Sequence, residues 1–201
     1  KVGLLSYNEV ETISVSGRET GAAAFKGDKL VGWLDKTQTR GLQWVKGKVR
    51  GGIIVIEQLE TEDKLASIEI LRASSAVIPK IVDGRPFVLI KVGALGNLGE
   101  TQEYFNPMES QEIWISMERR MAEMITHEIQ AALDIAKYEF NSDIFGFGAE
   151  IYRKYPKEWM KLKDRWDEEF RKLDVEIEVE TSLRRSGLTR RSIQVVRKEE
   201  D

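Results

Sequence analysis

Ile13 and Val15 alternate with polar neighbours across residues 11–16, a period of two that predicts a strand. Residues 22–25 and 29–34 read as two more short strands. Lys26-Gly27-Asp28 between them is a turn, because glycine supplies the backbone angles that a tight hairpin needs. Asp35 stands at an N-cap position before a short helix over 37–45 that turns Leu42 and Val45 inward, and Lys46-Gly47 closes it. The β-branched run 53–56 is apolar on both faces and predicts a strand at the centre of a sheet. An acidic loop over 57–63 leads to strands at 65–71 and 77–82. Asp83-Gly84 predicts a hairpin into 87–92. Pro79 has no N–H to donate, so its strand is expected at a sheet edge or near a bulge.

After a glycine-rich link over 93–100 and the Asn106-Pro107 pair, the apolar period lengthens. From 109 to about 140, Ile113, Met117, Met121, Met124, Ile125, Ile129, Ala132, Leu133, Ala136 and Phe140 form one stripe of a single helix. At the helical rise it would be roughly 45 Å long, enough to cross a sheet and project beyond it. Asn141 ends it, and Ser142 or Asp143 can cap a short helix that follows. Pro156 suits the first turn of another, whose Trp159, Leu162, Trp166, Phe170 and Leu173 line one face. Val175, Ile177, Val179 and Leu183 then alternate with Glu176, Glu178, Glu180 and Arg184, predicting a strand with one buried face. The charged tail beyond Leu188 offers one more short strand at 192–196. The expected class is α+β: a mostly antiparallel or mixed sheet, with one long helix and two shorter C-terminal helices on one face, closed by a final strand.

Between the two strongly helical stretches lies the most distinctive segment, 141–159, NSDIFGFGAEIYRKYPKEW. Phe145, Phe147, Tyr152 and Tyr155 crowd it together with Gly146, Gly148 and Pro156. It reads as a packing joint in which Asp143 caps, the glycines permit close approach, and Pro156 starts the next helix. Phe145, Phe147 and Trp159 are accordingly expected to be mostly buried.

Composition narrows the function more by exclusion than by assignment. Over 201 residues the chain is 41% hydrophobic and 32% charged with a net charge of −3, and the signs are interleaved. That is a solvated surface rather than the basic face of a nucleic-acid binder. The chain has no cysteine, so thiol nucleophiles and cysteine metal sites are excluded. No apolar run approaches the roughly 20 residues of a membrane span. The chain begins without methionine, and a preceding segment is expected.

Each candidate for chemistry meets a plainer reading. His127 is the only histidine; it precedes Glu128, but no second histidine follows at the zinc-protease spacing, so a helix-surface role is expected. The GALGNLGE segment spaces glycines like a phosphate cradle, yet no helix opens directly after it, and a bulged strand or turn fits better. Asp143-Ile-Phe-Gly lacks the other parts of a kinase site. Acidic pairs such as Asp167 and Glu168 lie on a solvated helix face, and Met117, Met121 and Met124 read as core. Trp33, Trp44 and Trp114 precede the corner; one left unburied would mark a partner surface. The residues give no catalytic set, no metal site and no cofactor site.

Four blocks taken in order carry a resemblance. They are TGAAAFKGDKLVGWLDKTQTRGLQWVKGKV at 20–49, GNLGE at 96–100, SDIFGFGAEIYRKYPKEW at 142–159 and VEIEVETSLRRSGL at 175–188. Together they resemble the C-terminal domain of the C subunit of GerA-type nutrient germinant receptors, lipoproteins of endospore-forming bacteria. The resemblance implies a lead-in at 1–18, the domain itself at 19–188 and a charged tail at 189–201. It implies a non-catalytic subunit that works with A and B membrane subunits at the inner spore membrane. Such a subunit faces the outer side of that membrane, held by a lipid on an N-terminal cysteine that this chain does not contain. Its expected role is in receptor assembly and signalling during nutrient-triggered germination. The positions that carry the resemblance as a structural or partner signature are Asn97, Gly99, Glu100, Asp143, Phe145, Gly146, Phe147, Gly148, Tyr155, Pro156, Trp159 and Trp166. Two other readings remain open: a domain that senses a small germinant directly, which needs a pocket with convergent polar groups, and an enzyme, which needs a deep pocket around His127.

Overall fold

A computed structural model describes residues 10–15, 18–57, 65–101 and 111–184. The expected acidic loop beyond residue 57, the Asn106-Pro107 pair, the helix start at 109 and the strand at 192–196 lie outside the described residues. The class is α+β, as the periodicity predicts.

Strands β1 (Val10–Val15), β2 (Arg18–Lys26) and β3 (Lys29–Leu34) make an antiparallel three-stranded sheet in chain order. Gly27 turns the chain between β2 and β3 at φ +64°, a conformation that glycine adopts without strain. Helix α1 (Lys36–Val45) opens on a reciprocal cap. The Gln38 N–H donates to Asp35 Oδ1 at 2.8 Å, and the Asp35 N–H donates to Gln38 Oε1 at 2.9 Å.

The second sheet holds four strands in the order β4 (Ile53–Glu57), β5 (Leu65–Val82), β6 (Arg85–Thr101), β7 (Asp174–Arg184). The first two pairings are antiparallel and β6–β7 is parallel. The run 53–56 is therefore an edge strand and not the expected central one. Ile54 and Ile56 are buried while Ile53 and Val55 face outward. Branching at Cβ favours a pleated backbone whichever face is covered, so this run says strand without saying where in the sheet.

The two strands expected at 65–71 and 77–82 are one, and so are 87–92 and the glycine-rich link after it. β5 and β6 pair along nearly their whole length, with register shifts between Ala66 and Ile68 and between Ile70 and Arg72. The polar interval Arg72–Ser75 breaks the hydrophobic alternation but not the ladder, since backbone hydrogen bonds are indifferent to side-chain polarity. Gly96 has a packing reason: a Cβ there would lie 2.4 Å from Ile68 Cγ2 and 3.1 Å from Leu183 Cδ2. Pro79 lies in the half of β5 beyond its pairing with β4, where α3 takes the neighbouring place and the Lys154 Nζ donates to the Pro79 carbonyl at 3.1 Å.

One face of this sheet is covered by α2 (Gln111–Asp134), which continues through a π-helical stretch, Ile135–Phe140. Met121, Ile125, Ile129 and Ala132 are fully buried along its stripe. The Thr181 Oγ1 donates to the Glu118 carbonyl at 2.7 Å and the Leu183 N–H to Glu118 Oε1 at 2.9 Å, tying α2 to β7. Asn141 closes the helix in the left-handed region at φ +45°.

Three short helices follow: α3 (Phe147–Lys154), α4 (Pro156–Leu162) and α5 (Trp166–Lys172). The single helix expected after Pro156 is thus broken by a 3-10 turn, Lys163–Arg165. The turn alters the phase of the apolar face between Trp159 and Trp166, whose rings meet edge to face at 5.2 Å. Among the described residues no helix is long and apolar enough to cross a membrane.

Candidate functional site

The corner is organised by one carboxylate. Asp143 is buried. Its Oδ1 accepts the N–H groups of Gly146 at 2.9 Å and Phe147 at 3.0 Å. Its Oδ2 accepts the Gly148 N–H at 2.7 Å and the indole N–H of Trp166 at 3.1 Å. A carboxylate facing the opening N–H groups of α3 satisfies donors that have no partner within the helix and complements its dipole. Burial pushes the Asp143 carboxyl above the usual carboxylate range; the N–H groups of Gly148 and Phe147, then Trp166 and Gly146, pull it back.

The rest of the corner is apolar packing around that cap. Phe145 and Phe147 are 7% and 0% exposed and stack at 5.0 Å between centroids; Trp159 is 5% exposed. Phe147 continues onto Phe170, and Trp166 onto Phe170, each at 6.3 Å. Gly146 takes φ +83° at the start of α3. Gly148 is required by close approach, because a Cβ there would lie 2.7 Å from Trp159 Cη2 and 2.8 Å from Trp166 Nε1. Tyr155 is half-buried and joins α3 to α4: its N–H donates to the Ile151 carbonyl and its own carbonyl accepts from Trp159. Pro156 is the exposed first residue of α4.

Asp143, Phe145, Phe147, Gly148, Trp159 and Trp166 are therefore brought together, with Gly146, Tyr155 and Pro156 shaping the backbone around them. Asn97, Gly99 and Glu100 are not part of that assembly and belong to β6. Asn97 pairs with Glu69 on one side and Arg184 on the other, while a Cβ at Gly99 would lie 2.8 Å from Ser67 Oγ.

A second buried polar cluster joins α1 to α2 and escapes the sequence reading. Glu128 is 2% exposed. It accepts Arg40 Nε at 2.8 Å and Trp44 Nε1 at 2.9 Å, and its Oε1 closely accepts Arg40 Nη2. Arg40 also donates through Nη1 to the Ile53 carbonyl at 3.1 Å. The helices touch here because residue 41 is glycine: a Cβ would lie 1.9 Å from the Glu128 carbonyl oxygen. The available signal was spacing, since Glu128 sits three residues after Ile125 and four before Ala132, inside the apolar stripe. His127, its neighbour, is exposed on the helix surface.

Outward-facing apolar side chains mark the sheet edges. On β3, Leu30 and Trp33 are exposed, Trp33 by 57%; on β4, Ile53 and Val55 are exposed. Trp44, by contrast, is core, and Trp114 is half-buried. Among the described residues no group of three or more His, Cys, Asp or Glu side chains could hold a metal ion.

A protein-family model described as spore germination B3/GerAC like, C-terminal, matches residues 20–187. Spore germination protein KC of Bacillus subtilis (strain 168) is 30% identical over 171 residues, covering 84% of this chain and 41% of that protein. Spore germination protein B3 of the same organism is 29% identical over 157 residues, covering 76% of this chain and 40% of that protein. The chain thus spans about two fifths of the length of these curated relatives. Among solved structures, that of the GerBC protein superposes with a TM-score of 0.70 at 24% identity, over 83% of this chain and 51% of the other. That likeness confirms the fold.

Proposed function

This chain belongs to the spore germination B3/GerAC-like C-terminal family, and we propose that it is a non-catalytic domain of a germinant-receptor C subunit, acting in receptor assembly and signalling. Its partners on this reading are the A and B subunits, and a lipid anchor outside this chain holds the subunit at the outer face of the inner spore membrane. The signature residues of the corner serve the fold, and contact falls to the sheet edges.

The observation that carries the proposal is Trp33, 57% exposed on the edge strand β3. A large aromatic in water is costly to leave uncovered, and indoles are frequent anchors at protein interfaces. Gly32 beside it lets β3 lie against α2's π-helical end, since a Cβ there would meet the Phe140 ring at 2.2 Å. Trp33 is therefore held on a fixed surface rather than on a loose segment.

Co-purification of the three subunits from spores tests the reading, comparing the parent, a strain lacking this domain and a Trp33→Ser strain. Loss of co-purification and delayed germination are expected without the domain, with weakened association for Trp33→Ser at unchanged domain stability. Normal assembly and normal germination in the absence of the domain overturn it.

A further inference from the structure

The four-stranded sheet carries apolar side chains on both faces, and α2 covers one of them. Residues paired across neighbouring strands point to the same face. The registers of β5, β6 and β7 therefore set Ile78, Phe87, Leu89 and Leu95 together on the face opposite α2. All four are apolar, yet none belongs to either buried cluster. On β4, the exposed Ile53 and Val55 extend the same surface. Parallel strands such as β6 and β7 are ordinarily covered on both faces.

The charges on this face are sorted by strand. Arg72 and Lys80 stand on β5, while Asp174, Glu176, Glu178 and Glu180 stand on β7. Between the two columns lies Lys91 on β6, whose Nζ meets Glu178 at 2.5 Å. The Lys91 ammonium is held above its ordinary value by the hydrogen bond and charge of Glu178, and further by Glu180 and Glu176. Three glutamates thus share one cation. Arg72 and Lys80 have no ion-pair partner among the described residues, and the Lys80 Nζ lies over the Phe87 ring at 5.5 Å from its centroid. The face is basic along one strand and acidic along another, with largely apolar residues on the strand between.

Such a surface is complementary to itself. A twofold axis parallel to the strands, passing over β6, lays the acidic column of one copy on the basic column of the other, twice over. Lys80 and Asp174 occupy one row, so each Asp174 then faces the Lys80 of the second copy. Glu180 comes within one row of the second copy's Arg72. We propose that two copies of this chain pack face to face through this surface as a β-sandwich, with Phe87, Leu89 and Leu95 between them. The inference goes beyond the assembly reading and uses neither Trp33 nor the corner.

Sedimentation equilibrium of the 201-residue chain tests the dimer. Self-association at concentrations up to about 1 mM is expected, weakening as salt rises. Glu176→Lys/Glu180→Lys puts lysines on β7 against a basic β5. Arg72→Glu/Lys80→Glu puts glutamates on β5 against an acidic β7. Each variant alone should associate about tenfold or more weakly than the parent. Mixed in equal amounts, the two should dimerise with each other, because each offers the sign that the other now faces. All four positions are exposed, so melting temperatures close to the parent's are expected. If a double change does not fold, Glu180→Lys mixed with Arg72→Glu makes the same comparison. A parent chain that stays monomeric at about 1 mM overturns the proposal. So do variants that associate like the parent, or a mixture that associates no more tightly than its components, which leaves the face to a different partner.

Discussion

The indole N–H of Trp166 donates to the Asp143 carboxylate at 3.1 Å, across a 23-residue separation that spans α3 and α4. The same Oδ2 holds the first turn of α3 through Gly148. One side chain thereby fixes both where α3 begins and where α5 sits against it. The helix after Pro156 breaks at Lys163–Arg165, directly before Trp166.

Asp143→Asn keeps the size of the side chain but replaces one oxygen by an NH₂ group that cannot accept. Either Gly148 and Trp166 or Gly146 and Phe147 then face a donor instead of an acceptor. A loss of roughly 2–4 kcal/mol in unfolding free energy is expected, because buried donors are left unpaired. Urea denaturation followed by tryptophan fluorescence measures it, and a loss within error of zero would show that the cap is dispensable.

The pH dependence of that loss has a definite sign. The unfolded carboxyl titrates near 3.8, and burial sets the native value above it. The folded state therefore holds this proton more tightly than the unfolded state does. The stabilisation it contributes is fully present below the unfolded value and is lost as pH rises through the native one. The stability difference between the parent and Asp143→Asn should accordingly shrink as pH rises from about 4. A difference that stays constant, or grows with pH, contradicts the assignment.

Glu128 gives a test at the other buried carboxylate. Removing it in Glu128→Ala leaves Arg40 and the Trp44 indole without their acceptor, and a loss of roughly 3–5 kcal/mol is expected. Arg40→Met together with Glu128→Met should cost less than the sum of the two single changes, since neither charge is then left alone. A double-mutant cycle in urea checks this, and strict additivity would mean that the pair is not coupled in solution.

The sequence was most informative where one local force acted alone. The alternation of Val175, Ile177 and Val179, the turn at Asp83-Gly84, the Asp35 cap and the long stripe from Ile113 to Phe140 each follow from backbone preference or from one buried face. Burial of Phe145, Phe147 and Trp159 was legible as well, because aromatics bracketed by a capping Asp, two glycines and Pro156 leave few alternatives to a packed corner. The candidate site was legible only as a list of residues, since spacing alone does not place Asn97 and Gly99 on β6 apart from the corner.

Tertiary structure decided what depends on partners distant in the chain. A β-branched run such as 53–56 carries no mark of whether a second strand lies beside it, so its place at the sheet edge came from topology. A polar interval breaks a hydrophobic pattern while leaving the backbone ladder intact, so the unity of β5 and of β6 was hidden. Glu128 lies in the apolar stripe because Arg40 and Trp44, more than 80 residues earlier, supply its donors. The sequence thus determined the elements and the family, through local backbone energetics and motif order. Which charges are paired and which edges stay open were set only by folding, because those energies exist only between segments that the chain brings together.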